Sequence, residues 1–392
     1  MATVTAYPKI HKTTDRIDVI DVLRGFALLG IIIVHCTFSY GAMQLPLHSR
    51  FDNILLQLVN YLIEGKFYAI FSFIFGLSFA IQLQSAEAKK RRFTGYFIWR
   101  SLILFVIGCL HLQFYTGDVL YKYALLGLLL LPANKLNNAA LIGLGVMMIF
   151  FMPYLRKLPD TIYPKQTTAA DMQARKEYNA SKAELAINSY NAKTAGSLNG
   201  VLKTNRTLIA MFWRDIQDIY FLILGLFLLG LAAGRKKLFI CTEPHRRFFT
   251  WTMIIGLTAA AVLFFLRKPP AAWASLITTL NQIALAGVYV SAVTLLYWSA
   301  RVSALLNIFS PVGKMGLTTY LLQSAFGLIF FFHFGFGMVN RLGVGQAIGV
   351  GISFYIIQVL FARWWMSRFR FGPVEWLWRS LTYLKIQPLR RY

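Results

Sequence analysis

The sequence predicts an all-α fold, a polytopic membrane bundle of about ten transmembrane helices with the N- and C-termini cytoplasmic. Three observations carry this expectation. Of the 392 residues, 57% are hydrophobic and 14% charged, against about 25% charged in average soluble domains, which excludes an ordinary soluble protein. The apolar residues come in runs close to the roughly 20 that a helix needs to cross a hydrocarbon core about 30 Å thick. Those runs lack the period-two alternation of barrel strands. An aromatic content of 16% excludes a disordered chain.

In chain order the expected spans are 17–40, 66–84, 97–114, 117–133, 139–155, 215–233, 248–266, 276–299, 317–337 and 345–363. The fourth is short and is bounded by Gly117-Asp118 and by Pro132 to Asn138. The apolar piece 51–63 is too short to span and reads as an interfacial or re-entrant helix. The first 16 residues are polar and basic, and no small-residue cleavage pattern follows, so the first span is expected to stay. Residues 156–206 are polar, with a helix-favouring stretch over 169–194. They divide the chain into a half over 1–155, an extracytoplasmic insert and a second half over 207–392. The insert reads as a solvated helical connector or as a lid or partner-docking element. Gly230 with Gly234 and Gly345 with Gly349 have the spacing that lets helices approach closely in lipid. At the C-terminal end, Pro373 suits a first helical turn. Glu375 and Arg379 have the spacing of a helical ion pair, and Trp376 and Trp378 suit a headgroup belt. That segment reads as a helix lying over the inner surface.

Orientation follows from Lys and Arg. With the N-terminus cytoplasmic, the inner segments hold 22 of them and the short outer loops five, namely Arg50, Lys66, Arg267, Lys268 and Arg341. The net charge of +25 is therefore mainly topology and not a nucleic-acid footprint, and the expected partner is the lipid bilayer. Cys36 and Cys109 fall inside apolar runs and Cys241 beside a basic loop, so no disulfide framework or metal site is expected.

Ionisable groups inside a bilayer are costly, so each asks for a reason. Arg24 and His35 are 11 residues apart in the first span, which at helical pitch returns them to nearly the same face. Arg24 is placed near the inner surface, where Asp21 can pair with it, and His35 near mid-membrane. A second cluster puts His111 toward the outer end of the third span, just before Gly117-Asp118. Asp118 either orients His111 or caps the following helix, and Lys122 can neutralise it. His333 lies near the outer end of the ninth span. No nucleophile elbow, zinc-protease helix, phosphate loop or paired-cysteine motif occurs.

The opening Arg16-Ile17 with Asp21-Val22-Leu23-Arg24-Gly25-Phe26-Ala27-Leu28-Leu29-Gly30 resembles that of the YeiB-like bacterial membrane proteins, whose C-terminal half is catalogued as domain of unknown function 418. Further along, the chain is similar to that family at Gly65-Lys66-Phe67, at Phe71-Ser72-Phe73-Ile74-Phe75-Gly76, and at His111 with Gly117-Asp118-Val119-Leu120. Two C-terminal blocks are the most specific: Gly313-Lys314-Met315-Gly316-Leu317-Thr318-Thr319-Tyr320 through Ser324, and Phe371-Gly372-Pro373-Val374-Glu375-Trp376 through Arg379. More distantly the family resembles the transmembrane acyltransferases, the acyltransferase-three enzymes and the heparan glucosaminide acetyltransferase group. In the acyltransferase-three proteins the first span carries an Arg, ten residues and a His, a spacing that Arg24 and His35 match.

The resemblance implies acyl transfer across a bacterial cytoplasmic membrane. A cytoplasmic acyl-CoA would be the co-substrate, with no permanently bound cofactor. The acceptor would be a hydroxyl or amine of a cell-envelope glycan or lipid. His35 is then the expected base or acyl carrier and Arg24 the donor-binding group, with His111, Asp118 and Lys66 binding the acceptor. A transporter of a lipid-linked or small polar solute, or a non-catalytic envelope protein, are the alternatives.

Overall fold

The computed structural model describes residues 17–40, 49–151, 191–212, 218–266, 271–339 and 341–391, with isolated positions between 173 and 189. The basic N-terminus through Arg16, most of the insert and its expected helix, and Arg267-Lys268 lie outside the described residues. Among the described residues a helix falls within each of the ten expected segments, the fourth holding two short pieces, Leu120–Leu128 and Leu130–Ala133. Among the described residues six helical segments are long and apolar enough to cross a membrane: Asp18–Ser39, the broken segment Arg50–Ala88, Phe93–Phe114, Glu243–Phe265, Ala274–Tyr297 and Val344–Arg368. Shorter apolar helices cover Asn138–Phe150, Ile219–Arg235 and Gly316–Phe331. The chain is a multi-pass, all-helical membrane protein.

The first half opens with α1 (Asp18–Val34), which runs on as a π-helical turn over His35–Ser39. Next come α2 (Arg50–Leu58), with a π-helical turn over Val59–Ile63, α3 (Lys66–Ala88) and α4 (Phe93–Phe114). Gly65 separates α2 from α3 in a left-handed conformation, φ +82°, that favours glycine. The half closes with α5 (Leu120–Leu128), α6 (Leu130–Ala133) and α7 (Asn138–Phe150). From the end of the insert, α8 (Leu198–Phe212) leads into α9 (Asp218–Arg235), α10 (Glu243–Phe265) and α11 (Ala271–Tyr297). The short α12 (Ala300–Leu306) and α13 (Ser310–Lys314) precede α14 (Gly316–Phe331), α15 (Val344–Arg368) and α16 (Pro373–Tyr383).

The two halves share one interior. α9 lies along α3, and α13 and α15 lie against α1. A Cβ on Gly230 would come within 2.0 Å of the Phe73 carbonyl oxygen, so this pair of helices touches backbone to backbone, as the spacing of Gly230 and Gly234 predicts. The second pair behaves differently: Gly345 packs on Leu55 of α2, while Gly349 faces open space. Deep in the bundle Gln323 of α14 donates to the Leu28 carbonyl and to Gln358 Oε1, both at 3.1 Å, tying α1, α14 and α15 through buried polar groups that lipid could not satisfy.

The C-terminal helix forms where expected, but its carboxylate has another partner. Glu375 does not pair with Arg379; its Oε1 accepts the N–H groups of Leu317 and Thr318 at 2.7 and 3.0 Å, and the Thr318 hydroxyl donates to Oε2 at 2.5 Å. The start of α14 presents backbone donors with no intrahelical acceptor, and a carboxylate satisfies several at once and opposes the positive end of the helix dipole. Arg379 instead covers the Phe371 ring, 4.7 Å from its centroid. Trp378 donates to the Arg100 carbonyl at 3.0 Å and its ring carries the Arg100 guanidinium at 3.8 Å, which clamps α16 to α4.

Candidate functional site

The candidate site gathers where α1, α4, α5 and α14 end together. α4 carries His111 three residues beyond Gly108. A Cβ at Gly108 would lie 2.4 Å from the Tyr121 backbone nitrogen, so only glycine there lets the first turn of α5 fold back onto α4. That fold-back brings Asp118 to His111: Nδ1 and Oδ1 are 2.7 Å apart, with Asp118 fully buried and His111 nearly so. The other carboxylate oxygen accepts the Tyr121 N–H at 3.2 Å. Of the two roles weighed for Asp118, orienting the histidine and capping the next helix, both are filled, one by each oxygen. The Tyr320 hydroxyl also donates to Oδ1, at 3.3 Å. Lys122 makes no direct contact pair with Asp118 but lies within reach of its charge; its ammonium sits over the rings of Tyr121 and Tyr220, 5.5 and 5.6 Å from their centroids.

His35 joins the cluster from α1. A π-helical turn widens the helix by one residue per turn and is frequent at functional sites; here it begins at His35 itself. The imidazole is 6% exposed and faces protein, with its ring centroid 4.7 Å from that of Tyr115, 5.8 Å from Tyr40 and 6.1 Å from Tyr320. Tyr115 and Tyr320 also flank His111, at 5.9 and 5.2 Å, so the two histidines sit on one pair of tyrosine rings. Among the described residues His35 Nδ1 and His111 Nε2 are buried without a hydrogen-bond partner. Buried polar atoms are ordinarily paired, and the two unpaired ring nitrogens in one cluster make it the candidate site.

A cavity of about 240 Å³ adjoins them, lined by Phe38, Ser39, Tyr40, Tyr115 and Asn205 among others. Tyr40 and Tyr115 form the wall between it and His35, and Ser39 bonds the Tyr115 hydroxyl at 3.0 Å. The end of the insert supplies Lys193 and Asn205 to this cavity, so the residues after 190 pack onto the site.

Two of the five expected residues lie elsewhere. Arg24 donates to Asp21 at 2.8 Å and to Ser78 of α3, away from the tyrosines that hold His35. Lys66 is 2% exposed and donates to the Asn60 carbonyl at 2.9 Å, where it satisfies the end of the α2 π-helical turn. At about 1.5 Å per residue His35 lies roughly 26 Å along the helix from Asp18, four residues before the helical run ends at Ser39. Tyr115, Tyr320, Tyr40, Lys193 and Asn205 were not anticipated. Only Tyr115 carried a local signal, four residues after His111 on the same helical face.

Comparison with known proteins gives two family matches. Residues 233–385 match the family described as a protein of unknown function, DUF418, and residues 16–177 match the catalytic family of heparan-alpha-glucosaminide N-acetyltransferase. The chain is 30% identical to the uncharacterized protein YxaH of Bacillus subtilis, over 97% of each chain. It is 26% identical to an uncharacterized 39.9 kDa protein from the amylase 3' region of Bacillus acidopullulyticus, over 96% of each. With the uncharacterized protein YeiB of Escherichia coli it shares 27% identity over 93% of this chain and 95% of the relative. No solved structure matches significantly.

Proposed function

Since this chain belongs to the YeiB-like family with its domain of unknown function 418, we propose that it is an integral-membrane acyltransferase that moves an acyl group from an acyl-CoA to an acceptor hydroxyl or amine. The observation that carries the reading is the buried His111–Asp118 pair, Nδ1 to Oδ1 at 2.7 Å, with Nε2 unpartnered. A carboxylate on one ring nitrogen holds the tautomer in which the other is a base. The match of residues 16–177 to an acetyltransferase catalytic family supports the same chemistry.

In this reading His111 Nε2 takes the proton of the acceptor hydroxyl or neutral amine. His35, which shares the Tyr115 and Tyr320 rings with His111, is loaded first: its ring nitrogen bonds to the thioester carbonyl carbon, the carbon–sulfur bond breaks, and the imidazole proton leaves with the CoA thiolate on the cytoplasmic side. The acceptor atom on the outer side then bonds to that acyl carbon, the carbon–nitrogen bond to His35 breaks, and the proton held on His111 Nε2 passes to the departing imidazole nitrogen. Both termini lie in the cytoplasm, the membrane is the bacterial cytoplasmic membrane, and the cavity beside Tyr115 opens outward. The acceptor belongs to the envelope, a glycan or a lipid.

The test is mass spectrometry of envelope glycans and lipids from cells with the chain, without it, and with His111→Ala at equal membrane abundance. A species heavier by one acyl group should depend on the wild-type chain and vanish with His111→Ala. Identical extracts from all three strains would overturn the reading.

A further inference from the structure

The acyl-transfer reading does not explain why the cavity in front of the histidines carries a cation. Among the described residues its one charged lining residue is Lys193, set among the hydroxyls of Ser39, Tyr40, Tyr115 and Thr116 and the amide of Asn205. Among the described residues Lys193 forms no ion pair; its ammonium lies 5.6 Å from the Phe332 ring centroid. Its position is held from behind, since the His333 N–H donates to the Lys193 carbonyl at 2.9 Å. Burial pulls the Lys193 pKa below the ordinary lysine value, because its charge is partly withdrawn from water. Asn205 is 4% exposed, and both its hydrogen bonds, to the carbonyls of Gln113 and Phe114 at 2.9 and 3.3 Å, use Nδ2. Its Oδ1 is left to accept from a ligand hydroxyl.

Charge across the mouth agrees. Residues 191–212 hold Lys193, Lys203 and Arg206 and no acidic residue, although the expected topology leaves outer loops poor in basic residues. Asp118, next to the lining residue Gly117, directs both oxygens inward, to His111, Tyr320 and the Tyr121 N–H, and leaves the cavity cationic.

Building on the acyl-transfer reading, we infer that the acceptor is an anionic polyol, a sugar phosphate by class, whose phosphate pairs with Lys193 while a hydroxyl or amine points past Tyr115 toward His111. A space of about 240 Å³ is below the roughly 300 Å³ at which pockets for drug-sized ligands begin, so it takes one phosphorylated sugar unit, free or as a lipid headgroup, and not a whole lipid.

The full chain in phosphatidylcholine nanodiscs is titrated calorimetrically with glucose 6-phosphate and with glucose, and is assayed for acyl transfer from acetyl-CoA to each. The phosphorylated sugar should bind at least tenfold more tightly than glucose. Lys193→Gln should erase that preference, Lys193→Arg should keep it within threefold, and His111→Ala should bind as wild type but transfer nothing. Nanodiscs containing phosphatidylinositol 4-phosphate distinguish the sources: a headgroup ligand occupies the site there in a Lys193-dependent way even where the free sugar phosphate binds weakly. Equal binding by wild type and Lys193→Gln in both arms overturns the inference. Transfer to the phosphorylated sugar with an unchanged KM in Lys193→Gln overturns it while leaving acyl transfer intact. Lys193-dependent binding with no transfer by the wild type supports the inference and sinks the acyl-transfer reading instead.

Discussion

The two ends of α1 present the same problem, ionisable side chains within an apolar bundle, and solve it in opposite ways. At the Arg24 end the charges are closed off. Asp21 is 1% exposed, and Arg24 bonds both Asp21 and Ser78. At the His35 end two imidazoles lie among tyrosine rings, each with a buried nitrogen that lacks a partner among the described residues, beside a cavity. A satisfied network fixes helices in place, whereas an unsatisfied one costs stability and persists where a ligand completes it. The proposed chemistry therefore uses the second end and leaves assembly to the first, even though sequence spacing makes Arg24 and His35 look like one motif.

The sharpest way to break this comparison is to remove the base. General base catalysis by a histidine typically contributes about 10²- to 10⁴-fold. His111→Ala and Asp118→Asn should each lower acyl transfer by at least 100-fold, with membrane abundance and melting temperature in detergent close to wild type. His35→Ala should cost at least tenfold. An active His111→Ala enzyme would return the histidine end to a packing role. Arg24→Ala should give the mirror image. It removes one partner of the buried Asp21, a loss of up to about 3–5 kcal/mol if the pair behaved as a fully buried one, read as a lower melting temperature and yield. Turnover per folded molecule should stay within a few-fold. If Arg24→Ala instead stays folded and loses turnover, the donor-binding role implied by its spacing is restored.

The all-helical membrane fold was legible because its signals are long: apolar runs near the length of a span need no partner to be read. The site was legible only where its members are near neighbours in the chain. His111 and Asp118 are seven residues apart and were read as a cluster. Tyr320 reaches the same carboxylate across 202 positions, and Lys193 arrives from a polar insert whose sequence has no periodicity to place it. Periodicity also assumes one helical pitch. The π-helical turn that begins at His35 changes the direction in which later side chains point, and Arg24 bonds Asp21 and Ser78 on α1 and α3. The Glu375–Arg379 spacing misled for a related reason: an exposed helical pair contributes about 0.2–0.5 kcal/mol, less than the start of a helix gains from a carboxylate on its free N–H groups.

Helix assembly is sharpened by a matched pair of glycine substitutions. Gly230→Ala forces its new methyl against the Phe73 carbonyl and should cost about 1–3 kcal/mol as overpacking. Gly349→Ala meets nothing within 4 Å and should be neutral or stabilising by up to about 1 kcal/mol from helix propensity. Thermal melts of the two variants in one detergent decide it, and equal melting temperatures would mean that α3 and α9 do not depend on backbone contact.

The smallest effect expected is a pH dependence at Glu375. Its carboxyl accepts three hydrogen bonds, yet burial raises its pKa above the ordinary carboxylate value, so desolvation outweighs the donors. A group with a raised folded-state pKa contributes stability in full below its unfolded pKa and loses it as pH rises through the folded one. Glu375→Gln still accepts from Leu317 and Thr318 and carries no charge at any pH. Wild type should therefore gain on Glu375→Gln as pH is lowered from neutral into the carboxylate range, while Glu375→Ala, with no acceptor, should lie below both by about 1–2 kcal/mol, as for a lost helix cap. The comparison is made from melting temperatures of the three proteins across that pH range. A wild-type advantage that grows with rising pH would mean that the carboxylate is held charged by the α14 N-terminus, and that this contact, like the Asp21–Arg24 pair, is an ionic lock.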